Sequence, residues 1–157
     1  MNWRLVVVTV LLALVILSLG TLSLTDSQIP AAVFGGKELL SPGDWIKENQ
    51  IQVFPTRVII NVPEATWAGF TNTNSMDPLL DEDSNAIEVK PQNAESIEVG
   101  DIISYHTAYG TIIHRVTEKG VDEQGVYYLV KGDNNRFADP LKVRYDDVVG
   151  VVVAVIY

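Results

Sequence analysis

The sequence contains no cysteine, which removes disulfides, thiolate zinc sites and a cysteine nucleophile together. A cysteine-free chain is at home in an oxidising or a reducing compartment, so redox location is not legible from it. Histidine is scarce at two residues, and a transition metal would have to rely on carboxylates. Basic residues are also few: 11 Lys and Arg stand against 20 Asp and Glu, a net charge of −9. That balance argues against a nucleic-acid partner, because phosphate backbones are bound by positive charge that displaces counterions. No internal repeat or low-complexity run occurs. What is present is 157 residues, 47% of them hydrophobic, a length for one compact domain and a short appendage. So much apolar content in so acidic a chain points to an uneven distribution.

The apolar excess lies at the start. Leu5 to Leu24 runs for twenty residues without a charge, and at ~1.5 Å per residue a helix of that length covers the ~30 Å hydrocarbon core of a bilayer. Trp3 and Arg4 precede it, an interfacial aromatic and a snorkelling cation. A cleaved signal peptide has a shorter apolar region and a small-residue cleavage site, and Gly20 to Ser27 offers no such site. The segment is therefore read as an uncleaved transmembrane helix within an anchor over residues 1–26. Arg4 lies on one side and Asp26 is the first charge on the other. The positive-inside rule places the N-terminus in the cytoplasm and the rest outside the cytoplasm, at the cell surface or in a lumen.

Residues 27–40 read as a tether, punctuated by Pro30, Gly35 and Gly36. Residues 41–157 read as one β-rich domain. Ser41-Pro42-Gly43-Asp44 has the pattern of a short helix start. Strands are expected at Ile51 to Phe54 and Val58 to Val62, with further apolar stretches at Trp67 to Phe70 and Ile87 to Val89. The clearest hairpin joins Ile102 to His106 with Thr111 to Thr117 through Thr107 to Gly110. Val126 to Val130 and Val148 to Tyr157 complete the set, the last too short to cross a membrane as a helix. A helix or turn is expected only near Trp45 and at Tyr145 to Val148. The fold class expected is mainly β, a small partly open barrel or sandwich.

Chemistry could reside in few places. His106 reads as a solvated loop histidine, whereas His114 lies within a strand between Ile113 and Arg115. Such a histidine is an ordinary core residue unless a nucleophile and an acid stand beside it. Ser75 is the candidate nucleophile, in Thr71-Asn-Thr-Asn-Ser-Met-Asp-Pro78. That run is ordinary turn chemistry except for Met76, whose apolar side chain wants a pocket. Asn74 tolerates the left-handed backbone of a sharp turn, and the Ser75 amide and Thr73 hydroxyl could face one oxyanion. The candidate acids are Asp133 and Asp139. Either could reach His114.

Taken in order, Ser75-Met76-x-Pro78, Gly100-Asp101-Ile102-Ile103, Ile113-His114-Arg115-Val116 and Lys131-Gly132-Asp133-Asn134-Asn135 with Asp139 resemble the type I signal peptidase family. The four boxes span about Thr71 to Pro140, a little under half the chain. Histidine in the base's box makes the resemblance one to the endoplasmic-reticulum and archaeal branch, where bacterial enzymes carry lysine. It implies Ser75 as nucleophile, His114 as general base, Asp139 as the residue orienting it and Asp133 in support. It further implies an oxyanion hole from the Ser75 amide and Thr73, and substrate contacts at Met76 and Pro78. No metal or organic cofactor is implied. The partners implied are preprotein signal peptides with small residues near the cut and the lipid bilayer, with room for accessory membrane subunits or a translocon. Two departures stand out. Thr73-Asn74 replaces the usual Ser-Gly, and Asp81-Glu-Asp-Ser-Asn85 replaces a Gly-Asp. The latter resembles a calcium loop only in part, lacking its glycine and final glutamate. The other readings are a degenerate anchored β domain that binds exported chains, and a Ser–Lys protease using Lys131.

Overall fold

β-branched and aromatic residues, broken by Gly, Pro and Asn turns, set nine strands among the described residues. They are β1 (Ile51–Phe54), β2 (Arg57–Ile60), β3 (Thr66–Gly69), β4 (Asn85–Val89), β5 (Ile102–Thr107), β6 (Gly110–Asp122), β7 (Gly125–Lys131), β8 (Val143–Arg144) and β9 (Val148–Ile156). This computed structural model describes Trp3 and residues 39–157. The expected membrane span at 5–24 and most of the tether lie outside the described residues, among which no helix is long and apolar enough to cross a membrane. Leu39 to Tyr157 form one compact unit.

The unit is mainly β, with two antiparallel sheets. β1 and β2 pair alone, while the second sheet has seven strands in the order β3-β4-β9-β5-β6-β7-β8. β9, the apolar C-terminal run, lies between β4 and β5. A strand with neighbours on both edges satisfies its backbone, and period-2 alternation sends its side chains to both faces. Val151 thus joins a cluster with Ile103, Tyr105, Val116 and Tyr128. Val152 joins the other, with Met76, Leu80, Ala86 and Ile102. The first cluster backs the histidine and the second backs the serine loop.

Three expectations are corrected. No helix begins at Ser41; the segment runs irregularly to a single 3-10 turn at Glu48–Gln50. A distant side chain overrides the local pattern. The Asp101 carboxylate accepts hydrogen bonds from Gly43 N–H at 2.7 Å and Trp45 Nε1 at 3.0 Å, and Arg115 Nη1 donates to the Leu40 carbonyl at 3.0 Å. His106 lies on β5 rather than in a loop, opposite Thr111. The turn is confined to Ala108-Tyr109, and Gly110 supplies the positive φ that closes it, +125°. β6 also runs beyond its expected end at Thr117 through Glu118 to Asp122, with a register shift between Val116 and Glu118. Gly120 in that extension is covered by the Tyr127 ring across the ladder. A 3-10 turn does form at Tyr145–Asp147.

Candidate active site

The serine loop is shaped by its backbone. Asn74 takes φ +56°, a left-handed conformation that asparagine tolerates better than most residues. Met76 follows Ser75 into the second core cluster and is 2% exposed, which anchors one side of the turn. A second loop, between β7 and β8, grips the other side. Asn134 N–H donates to the Ser75 carbonyl at 3.0 Å, and Asn134 Nδ2 donates to the Asn74 carbonyl at 2.9 Å. Gly132 permits this approach, since a Cβ there would stand 2.5 Å from the Ser75 carbonyl oxygen. Asn134 of the last box thus bonds the serine loop, while Asn135 N–H donates to the Gly132 carbonyl of its own loop at 2.9 Å.

His114 projects from β6 onto the face that carries Tyr105 and is 5% exposed. Its Nδ1 lies 2.8 Å from Asp139 Oδ2. A carboxylate at that nitrogen fixes the proton on Nδ1 and leaves Nε2 as the basic nitrogen. Asp139 is held in place by its own N–H, which donates to the Val130 carbonyl of β7 at 2.9 Å. Tyr105 Oη donates to the same carboxylate oxygen. Burial first, then the bond to Asp139 and its charge, push the Tyr105 phenol well above its ordinary pKa, so it remains a donor.

Asp133 is placed elsewhere. It accepts two hydrogen bonds from Arg115, at 2.8 Å from Nε and 2.7 Å from Nη2. The same guanidinium donates to the Gly100 and Leu40 carbonyls. Asp133 therefore ties β6 to the loop that grips Ser75, and Asp139 alone of the two carboxylates meets the histidine.

Ser75 and His114 line one cleft of about 620 Å³ with apolar walls that include Trp67, Phe70, Met76 and Ile113. Among the described residues, the Ser75 hydroxyl bonds only to Thr73 Oγ1, at 3.2 Å, and no hydrogen bond joins it to His114. Such a bond is often long without substrate and tightens when substrate binds. Nor does any hydrogen bond among the described residues take up the Ser75 backbone N–H. Pro78 is exposed and outside the cleft lining. Lys131 Nζ donates to the Gly132 carbonyl at 2.9 Å, and His106 pairs with Thr111 on the surface. The Asp81 to Ser84 turn closes on itself, with Asp81 N–H donating to Ser84 Oγ at 3.0 Å. No group of three metal-ligating side chains occurs among the described residues.

Tyr105 and Glu88 were not singled out in sequence. Tyr105 reads as a core aromatic, and its alternation with Ile103 is the signal that it shares a face with His114. Glu88 reads as the polar member of a strand, yet it is 3% exposed and lines the cleft. No family model matches this chain, and no curated protein matches it.

Proposed function

We propose that the chain is a membrane-bound serine endopeptidase of the signal peptidase type, removing signal peptides from exported preproteins. The observation that carries the reading is the His114–Asp139 contact, which leaves Nε2 as the basic nitrogen of a buried histidine that lines the same cleft as Ser75. A serine hydroxyl is too weak an acid to attack a peptide unaided. His114 Nε2 takes the Ser75 proton as Oγ adds to the scissile carbonyl, and the Asp139 carboxylate stabilises the imidazolium. The oxyanion forms beside the Ser75 amide and Thr73. His114 then gives its proton to the leaving amine, and water, activated by the same nitrogen, hydrolyses the ester. No step calls for a metal or an organic cofactor. The apolar walls suit small, uncharged side chains before the cut.

In this reading the β unit is the small, partly open barrel or sandwich of that family. Leu5 to Leu24 is a single transmembrane helix that holds it at the outer membrane face, the histidine assigning it to the endoplasmic-reticulum and archaeal branch. Use of Lys131 as base is disfavoured by its bond to the Gly132 carbonyl. The test is incubation of the full chain, purified in detergent, with a preprotein. Cleavage at one bond is expected, and an acid quench during turnover should trap the N-terminal signal peptide as an ester on Ser75. Intact preprotein that binds without being cut would favour the non-enzymatic anchored domain instead.

A further inference from the structure

Glu88 is a buried carboxyl for which the proposed chemistry has no use. It lies on β4 with Ala86 on the same face, beside the apolar cluster of Met76, Ile102 and Val152. Ser104 Oγ donates to its Oε2 at 3.0 Å, while its Oε1 is buried and has no hydrogen-bond partner among the described residues. Space for the carboxyl is made by Gly150, where a Cβ would stand 3.0 Å from Glu88 Cβ and 3.3 Å from Oε2. Ser104 is the cross-strand partner of Gly150 on β5. Glu88 and Ser104 both line the cleft that holds Ser75 and His114.

A buried polar atom without a partner is rare and destabilising. Burial also raises the Glu88 pKa above its ordinary value, with the Ser104 bond only partly opposing. Its neutral form carries a proton. With Oε2 accepting from Ser104, that proton belongs on Oε1 and wants an acceptor. An alkyl side chain entering the cleft leaves the group unpaired, whereas a hydroxyl supplies an oxygen at the cost of little volume.

We infer that Glu88 and Ser104 form the polar floor of a substrate side-chain subsite that selects serine or threonine over the alkyl side chain of equal size. The inference rests on the peptidase reading and adds to it a determinant of specificity. A cation would instead be preferred if the carboxyl were ionised in the complex, and a permanently bound water at Oε1 would erase any preference.

The test uses peptides spanning a cleavage site and differing by Thr for Val, Ser for Ala, or Lys, at each of the three positions before the cut. kcat/KM is measured with the full chain in detergent, and Kd with its Ser75→Ala variant. At one position threonine should exceed valine by about five- to tenfold, the range of one buried hydrogen bond. Glu88→Leu should abolish this preference, Glu88→Gln should retain it, and Ser104→Ala should diminish it. Equal rates for threonine and valine at every position, a preference for lysine, or a threonine preference that survives Glu88→Leu would overturn the inference. Should Glu88→Leu fail to fold, an undiminished preference in Ser104→Ala overturns it equally. Peptides bound with the threonine preference but never cut would sink the peptidase reading and leave the subsite standing. Peptides cut without preference would do the reverse.

Discussion

Asp133 and Asp139 are chemically alike and six residues apart in the chain, yet their surroundings give them different work. Asp139 accepts from His114 and Tyr105, so Asp139→Asn should lose the histidine's tautomer control and lower kcat by about 10⁴ with little change in stability. Asp133 neutralises Arg115, both side chains being under 10% exposed at 6% and 8%. Asp133→Ala should therefore destabilise the unit by about 3–5 kcal/mol, because it strands a buried charge; urea unfolding beside a kcat measurement separates the two cases. Glu88 makes a prediction of opposite sign to that of most carboxyls. Its pKa is raised on folding from the ordinary 4.5, so the folded chain binds the proton more tightly. Its contribution is fully present below about 4.5 and is lost as pH rises through the raised value. Glu88→Gln should flatten that decline, giving a melting temperature above wild type at pH 8 but not at pH 4. Neither the bond of Tyr105 to Asp139 nor the burial of Glu88 could be read from the sequence, since alternation assigns a face and not what the face meets.

At the scale of elements, the site is a junction of two loops held against β6. Gly132 is the closest point, where a Cβ would meet both the Ser75 carbonyl oxygen and the Asn135 side chain, at 2.5 Å and 2.7–2.9 Å. Gly132→Ala should shift the serine loop and reduce kcat about 100-fold, the scale of a misplacement near 1 Å. Structural melting should fall far less, because the core clusters are untouched. The strands were largely legible, because β-branched runs at Ile51 to Phe54, Ile102 to His106, Val126 to Val130 and Val148 to Ile156 carry period-2 signals bounded by turn residues. The helix expected at Ser41 was not to be had from local sequence. Its Ser-Pro-Gly-Asp pattern is sound in isolation, but Asp101, 58 residues from Gly43, captures the backbone. The outer half of β6 was missed for a related reason: Glu118-Lys-Gly-Val-Asp122 is polar and contains a glycine, and it becomes a strand through pairing with β7.

For the whole molecule, an apolar N-terminal segment precedes an acidic β unit in which Ser75 and His114 line one cleft and Asp139 holds the histidine from outside its lining. Ser75 and His114 were legible because four short boxes occur in a fixed order; the choice between the two aspartates was not, since it depends on how the loop after β7 folds. If Leu5 to Leu24 spans the membrane with Arg4 inside, added protease should digest the unit containing Tyr157 from the outer side of intact cells or of inverted lumenal vesicles. Protection there would contradict the proposed topology. The most direct measurement concerns the Ser75 and His114 pair: the rate of preprotein cleavage by the full chain in detergent, beside Ser75→Ala and His114→Ala variants of unchanged melting temperature. The account predicts cleavage by the wild type and a loss of at least about 10³-fold in each variant, with the double variant no slower than the singles. Cleavage that persists in either single variant would contradict it.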